Sequence, residues 1–210
     1  LEDTNDVLPV SFGEVAQQWL DSYVRNNNKP SEYTNRRYIL KSSLIPFFEK
    51  TLVSEIKSYD IEMYKSYLIE KRRVSPKTVN NYLCILSRCL RSALEWQMIE
   101  VMPKIKLMKV PPHKFDFLTE EEAVKLIRHA GGFWRDMILL AIRTGLRFGE
   151  IIALKWEDIN LRERTLTVNR NIVRGIEGSP KSNKTRMVPL TASVMAMLKE
   201  RPRDYDRIFY

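Results

Sequence analysis

Little in this chain invites metal or cofactor chemistry. Its 210 residues include only two cysteines and two histidines. Cys84 and Cys89 lie five apart in a helical pattern, about 140° around the axis, and cannot readily pair within that helix. Both histidines, His113 and His129, are remote from them, which argues against a zinc site. None of the seven glycines opens a phosphate loop followed by Lys-Ser/Thr, and neither a paired-histidine metal motif nor a G-x-S-x-G elbow occurs. Acidic residues are scattered rather than gathered for two metal ions. The longest strongly apolar run, Met137–Ile142, is far below the roughly 20 residues of a membrane span. The opening Leu-Glu-Asp-Thr-Asn-Asp has neither the basic nor the apolar region of a signal peptide. These absences predict a soluble intracellular chain with reduced, packing cysteines, no metal and no cofactor. There is no internal repeat or low-complexity tract.

What is present is a core-forming composition with excess positive charge. Hydrophobic residues make up 44% and charged residues 29%, with a mean hydropathy of −0.34, enough apolar content to fold. Thirty-five Lys and Arg face 26 Asp and Glu, a formal charge of +9. Residues 1–110 hold 17 basic and 13 acidic side chains and residues 111–210 hold 18 and 13, so the excess is shared. Shared charge fits two modules gripping one extended polyanion, whereas a basic tail would read as an accessory arm.

The first half reads as helices. Ser11-Phe-Gly-Glu14 is a capping box, followed by an apolar stripe through Val15, Trp19, Leu20 and Tyr23 or Val24 until Asn26–Pro30 breaks it. Further helices are expected over 33–49 and 59–73. Ser75-Pro76 supplies an N-cap and a proline at the first helical position. Val79, Tyr82, Leu83, Leu86, Leu90, Ala93 and Leu94 then recur at helical spacing. The opposite face carries Lys77, Asn81, Arg88 and Arg91, either a solvated face or a DNA contact. Met102–Lys114, with three prolines and four lysines, has no helical period and reads as a linker. Its lysines, Lys104 and Lys106 among them, suit either a hinge or a segment along a phosphate backbone.

The second half opens with another capping box, Thr119–Glu122, leading a helix to about His129. Trp134–Thr144 is apolar nearly all round and predicts a buried helix. After Gly145 a short helix runs through Leu154. Alternation from Thr165 to Val173 predicts a strand, with a turn over Gly175–Pro180 and a second strand over Lys184–Leu190 completing a hairpin. Thr191 starts a last helix. The expected fold is a mainly α amino-terminal domain (10–103), a linker (104–116) and an α+β domain with a small antiparallel sheet (117–210). Chemistry concentrates at Thr144-Gly-Leu-Arg-Phe-Gly-Glu150. Gly145 frees a sharp turn, Arg147 offers a planar fork suited to a phosphodiester, and Glu150 lies where it can fix the Arg147 rotamer.

Thr-Gly-Leu-Arg-x-x-Glu, followed by Ile-x-x-Leu-x-Trp-x-Asp-Ile ending at Ile159, resembles the first conserved box of the tyrosine recombinases, the family of the phage integrases and chromosome-dimer-resolving recombinases. Pro180-Lys-Ser-Asn-Lys-Thr-Arg-Met-Val-Pro-Leu190 resembles that family's catalytic-lysine hairpin. Ser75-Pro-Lys-Thr78, the Leu86–Ala93 helix and Pro103 resemble its SAM-like helical core-binding domain. The resemblance spans about residues 11–200 and implies site-specific DNA strand exchange through a phosphotyrosine intermediate, without metal or cofactor. It implies Arg147 as the catalytic arginine on a non-bridging phosphate oxygen and Glu150 as its buttress. Lys181 is implied as general acid to the leaving 5′ oxygen, with Lys184 and Arg186 competing for that role. Lys77, Arg88, Arg91, Lys104, Lys106, Lys184 and Arg186 are the expected contacts to double-stranded DNA. The family's later boxes, His-x-x-Arg and the nucleophilic tyrosine, have no counterpart in this sequence. Tyr205 and Tyr210 lie in the wrong place for that tyrosine, and Tyr210 reads as an aromatic of the core that the later part of the domain would complete. Two functions stay open: the amino-terminal part of a recombinase, homotetrameric on synapsed DNA when full length, or a truncated binding module that occupies recombination sites. An unrelated basic helical nucleic-acid-binding protein is a weaker third. The resemblance implies a bacterial or phage-derived protein of the cytoplasm and nucleoid.

Overall fold

The computed structural model describes residues 9–112, 114–180 and 184–210. The chain forms two compact units that divide between residues 113 and 114. In the first, α1 (Phe12–Trp19) continues through a π-helical turn, Leu20–Val24, into α2 (Arg25–Asn27). Its start is the expected capping box: the Ser11 hydroxyl accepts from the Glu14 amide, and the Glu14 carboxylate accepts from the Ser11 amide. Two of the four orphan amides of the first turn are thereby satisfied. Then come α3 (Pro30–Ile39), a second π-turn (Leu40–Leu44) and α4 (Ile45–Phe48).

The helix expected over 33–49 is therefore present, running from Pro30 to Phe48 with a π-turn inside it and Pro46 just beyond that turn. Proline has no amide hydrogen, so the carbonyl four residues back, that of Ser42, loses its helical donor. The wider π-turn accommodates the ring, and Arg72 Nη1 donates to the Ser42 carbonyl at 3.0 Å. Helices α5 (Ser58–Glu70) and α6 (Pro76–Glu95) complete the unit. Phe12, Trp19, Leu40, Phe48, Tyr64, Leu83 and Leu86 form its core, each at most 1% exposed. Burying each such side chain contributes roughly 1.5–3 kcal/mol. Cys89 is buried there and Cys84 exposed, both unpaired. Burial pushes the Cys89 thiol up to about 12, which makes it unreactive.

The segment after α6 is extended, yet its beginning is docked. Met102, Ile105 and Met108 pack on the first core. The Asn80 side-chain amide donates to the Met108 carbonyl (3.0 Å) and accepts from the Met108 amide (2.8 Å), imitating one rung of a β-ladder.

The second unit places α7 (Glu120–His129), α8 (Gly132–Thr144) and α9 (Phe148–Ala153) before the strands. Strands β1 (Ile159–Asn160), β2 (Thr165–Val168) and β5 (Arg186–Pro189) form one antiparallel sheet in the order β1-β2-β5. Strands β3 (Asn171–Val173) and β4 (Ile176–Gly178) form a separate pair, and α10 (Ala192–Glu200) follows.

Two expectations need correction here. The hairpin is split: β2 pairs with β5, setting Leu166 opposite Val188 and Val168 opposite Arg186, while β3 turns back on β4 at Arg174-Gly175. Both turn residues have positive φ, 52° and 78°, the geometry of a two-residue turn whose twist matches the strands. Second, α8 is not buried all round. Met137, Leu139 and Leu140 enter the core, whereas Trp134 is 61% and Ile142 38% exposed. After α10, Ile208 and Phe209 bury in this core, and the Ile208 amide donates to the Leu154 carbonyl. Tyr210 is exposed with its ring against Tyr205.

No described helix is long and apolar enough to cross a membrane. Replacing Asn80 by Ala removes both bonds to Met108, and the loss is expected to be about 1–2 kcal/mol. Hydrogen exchange should show the Met108 amide losing protection while amides within α5 keep theirs.

Candidate active site

The site grows from the turn between α8 and α9. Gly145 caps α8 in the left-handed conformation, φ 65° and ψ 19°, which a residue with a Cβ adopts only with strain. The chain then reverses, and Arg147 becomes the N-cap of α9 with an extended backbone. Glu150, one turn on, reaches back: its Oε2 accepts from the Arg147 amide at 2.9 Å and its Oε1 from Arg147 Nη1 at 3.2 Å. Glu150 thus closes the capping arrangement and sets the Arg147 rotamer.

The Glu150 carboxylate has a second partner from far along the chain. Arg186, on β5, donates from Nη1 to Oε1 at 3.0 Å and from Nη2 to Oε2 at 2.7 Å, a fork-to-fork ion pair. Glu150 is 2% exposed, so its charge would be costly without this coordination. The Arg186 bonds outweigh the opposing effect of burial and, with those from Arg147, hold the carboxyl down at about 2. Arg186 is correspondingly held above its ordinary value by the same pair. Arg147 keeps 62% of its side chain exposed. The site therefore presents one guanidinium to solvent and uses a carboxylate and a second guanidinium to hold it.

Of the expected catalytic residues, the structure brings Arg147 and Glu150 together. Lys181 lies outside the described residues. Lys184 is exposed before β5, and Arg186, expected to contact DNA, has both terminal nitrogens engaged by Glu150. In the first unit Lys77, Arg88 and Arg91 are exposed along one stripe of α6, and Lys104 and Lys106 are exposed on the extended segment. Among the described residues no group of His, Cys, Asp or Glu is arranged to hold a metal ion.

Two features had no role assigned from the sequence, Gly149 and Asp158, the latter entering only as the Asp of the Ile-x-x-Leu-x-Trp-x-Asp-Ile motif. A Cβ on Gly149 would lie 2.2 Å from Asn171 Oδ1 and 2.5 Å from the Ile172 carbonyl oxygen. Only glycine allows α9 to lie this close to β3. A glycine inside a short helical pattern was the available signal. The other feature is Asp158, 6% exposed, which accepts from the Lys155 amide (2.9 Å), Asn169 Nδ2 (3.0 Å) and Arg170 Nη2 (3.1 Å). Arg170 also bonds Glu157 at 2.7 Å. This network pins the connection between β2 and β3 and explains why one expected strand becomes two.

Two outcomes follow. Gly149→Ala should cost the second unit about 1–3 kcal/mol or more, because backbone must move, with the melting temperature as readout. The Glu150 carboxyl, lying below its unfolded value near about 4.3, contributes stability that is complete above roughly pH 5 and lost as pH falls toward about 2. Glu150→Gln should therefore lower the melting temperature at neutral pH and flatten its fall over that acid range.

Comparison with known proteins gives the family and the fold. Residues 116–206 match the phage integrase family and residues 11–69 the phage integrase N-terminal SAM-like domain. A XerC-like tyrosine recombinase of Caldanaerobacter subterraneus subsp. tengcongensis is 31% identical over 225 residues, covering 93% of this chain and 56% of that protein. The ICEBs1 integrase of Bacillus subtilis is 26% identical, covering 95% and 56%. The chain spans about half the length of these curated relatives. Among solved structures, the integrase of transposon Tn1549 in complex with circular intermediate DNA superposes with a TM-score of 0.78 at 16% identity, covering 93% of this chain and 66% of that one. A lambda integrase tetramer bound to a Holliday junction gives 0.70 at 16% identity, covering 95% and 59%. At these identities the superpositions establish the fold, and the two domain matches with the sequence relatives establish that the chain belongs to the phage integrase family of tyrosine recombinases.

Proposed function

We propose that this chain is the DNA-gripping part of a site-specific tyrosine recombinase, comprising a helical core-binding domain over 10–103 and the first part of the catalytic domain over 117–210. The observation that carries this reading is the exposed guanidinium of Arg147, oriented by a buried carboxylate that is itself neutralised by Arg186. Such a group meets an anion without reorganising, which is what stabilises charge developing in a transition state.

Arg147 binds a non-bridging oxygen of the scissile phosphate and stabilises the negative charge of the pentacoordinate state. Glu150 positions Arg147 and accepts no proton, since its carboxyl is held ionised down to about pH 2. Arg186 holds Glu150. In the full-length protein a tyrosyl oxygen forms the new bond to phosphorus and releases its own proton, while the bond from phosphorus to the 5′ oxygen breaks. The Lys181 ammonium gives a proton to that leaving oxygen, and Lys184 is the neighbouring alternative. The chain itself binds duplex DNA and lacks the nucleophile, so strand cleavage belongs to the longer protein, which acts as a tetramer on two synapsed sites.

The DNA partner is supported by the positive charge shared between the two halves and by the exposed cations of α6 and of the segment after it. The sequence relatives include integrases, and the structural neighbours were solved with DNA. If some 6–10 phosphates are contacted, affinity for duplex DNA should fall about 10³–10⁵-fold between roughly 50 and 200 mM salt. A flat salt dependence in a fluorescence-anisotropy titration overturns the DNA reading. In the full-length protein Arg147→Ala should leave DNA affinity within about twofold and lower cleavage by at least about 10²–10³-fold. Cleavage at the unmodified rate removes Arg147 from the mechanism.

A further inference from the structure

Outside the candidate active site, the most unusual charge in the molecule is Arg36, on α3. Its side chain is 7% exposed, and its one ion-pair partner among the described residues, Glu32, stands 3.7 Å away and is 57% exposed. Its guanidinium lies over the Trp19 ring, 5.6 Å from the centroid. Nη1 is buried and has no hydrogen-bond partner among the described residues. A buried guanidinium is ordinarily paired and fully hydrogen-bonded, because an unsatisfied buried donor is costly. Stacking on Trp19 offsets part of this cost but leaves a donor unused.

The surroundings sharpen the anomaly. Arg36 lines a groove of about 500 Å³ between α3 and α6, together with Asn81 and the exposed Arg88. Burial pushes the Arg36 guanidinium below its ordinary value, and the positive charge of Arg88 pushes the same way, against the weaker pull of Glu32 and Tyr23. A purely structural arginine would be expected in a close pair with a buried acid, whereas Glu32 is distant and exposed and a second cation borders the same groove. On the far side of Arg88, Arg91 lines a second groove of about 550 Å³. Glu32 also lines the first groove and Glu95 the second. The first groove thus holds two cations against one carboxylate, and that carboxylate, 3.7 Å from Arg36 and 57% exposed, leaves Nη1 without a partner among the described residues.

We propose that the groove between α3 and α6 binds one phosphate group, supplied by the DNA backbone, through Arg36 and Arg88, with the Asn81 amide as a neutral donor at its rim. Because Arg36 Nη1 is fully buried, binding requires the exposed Arg88 and Tyr38 side chains at the groove to move aside. A phosphate there meets the planar donor fork of Arg36, satisfies its unused N–H and relieves the repulsion between the two cations. Arg36 appears in no sequence motif, because its role depends on burial against Trp19 and on the approach of α6. The backbone source rests on the DNA reading above; the phosphate chemistry does not.

The test uses the whole chain and duplex DNA titrated by anisotropy at several salt concentrations, with Arg88→Gln, Arg36→Met and the double variant. Losing one neutralised phosphate should reduce the slope of log affinity against log salt by about 0.9. Because both arginines hold the same phosphate, the double variant should lose little more than either single one. Without DNA and at low salt, Arg88→Gln should melt no lower than the parent chain, since it removes a repulsion. Weaker DNA binding without lost stability is the signature of a ligand site. Unchanged affinity and slope in Arg88→Gln overturns the proposal, as does an Arg36→Met chain that melts lower but binds DNA normally. If Arg36→Met does not fold, Arg36→Lys, which keeps the charge and loses the fork, replaces it with an intermediate loss of affinity expected. If the parent chain binds no DNA, inorganic phosphate decides. A melting-temperature rise present in the parent and absent in Arg88→Gln keeps the phosphate site and overturns the backbone as its source. The absence of any rise overturns the site as well.

Discussion

The candidate active site depends on one buried charge. Glu150 carries a full negative charge at 2% exposure, and it can do so only because donors from two distant parts of the chain converge on it. The Arg147 amide and guanidinium come from the turn before α9, and the Arg186 fork comes from β5. Removing any one donor leaves charge imperfectly compensated in a dry place, where electrostatic effects are large. The ion pair is therefore better read as a device for specifying geometry than as a source of stability, since buried pairs often gain little net energy. It ties a helix start to a strand and leaves one guanidinium facing solvent in a set orientation.

The neighbouring contacts serve the same geometry. Gly149 lets α9 approach β3 so closely that any side chain would overlap Asn171. Asp158, coordinated by Lys155, Asn169 and Arg170, holds the chain where β2 ends and β3 begins. That break allows β5 to pair with β2 alone and places Arg186 opposite Val168. A one-residue slip in that register would move Arg186 to the other face of the sheet and away from Glu150. The first unit shows the same economy at Pro46, where a distant arginine satisfies the carbonyl that proline leaves without a donor.

Arg36 contrasts with Glu150. Both are buried charges, but Glu150 has all its partners within the chain, whereas Arg36 lacks a good carboxylate partner and faces a second cation. The first arrangement is complete as it stands and the second is completed by an anion. Under the proposed function the two sites serve different ends, one orienting a reacting group and the other positioning a nucleic-acid backbone without reading its sequence.

How much of this was legible beforehand follows the range of the interactions. Local features could be read from residues alone: the Ser11 and Thr119 capping boxes, Ser75-Pro76 at the head of α6, the amphipathic stripe of α6, and the turn at Gly145. Each depends on side chains within four residues of one another. The Arg147–Glu150 pair was legible for the same reason. The family resemblance was legible too, carried by the Thr144–Ile159 box together with Pro180–Leu190 and Ser75–Thr78 rather than by any one of them. Tertiary structure decided what depends on distant partners. It gave Arg186 to Glu150, 36 residues away, split the expected hairpin, exposed one face of α8, and buried Arg36 beside Trp19. Periodicity reports which side chains share a face, but the partner that covers that face, or leaves it open, is set by packing between elements far apart in the chain.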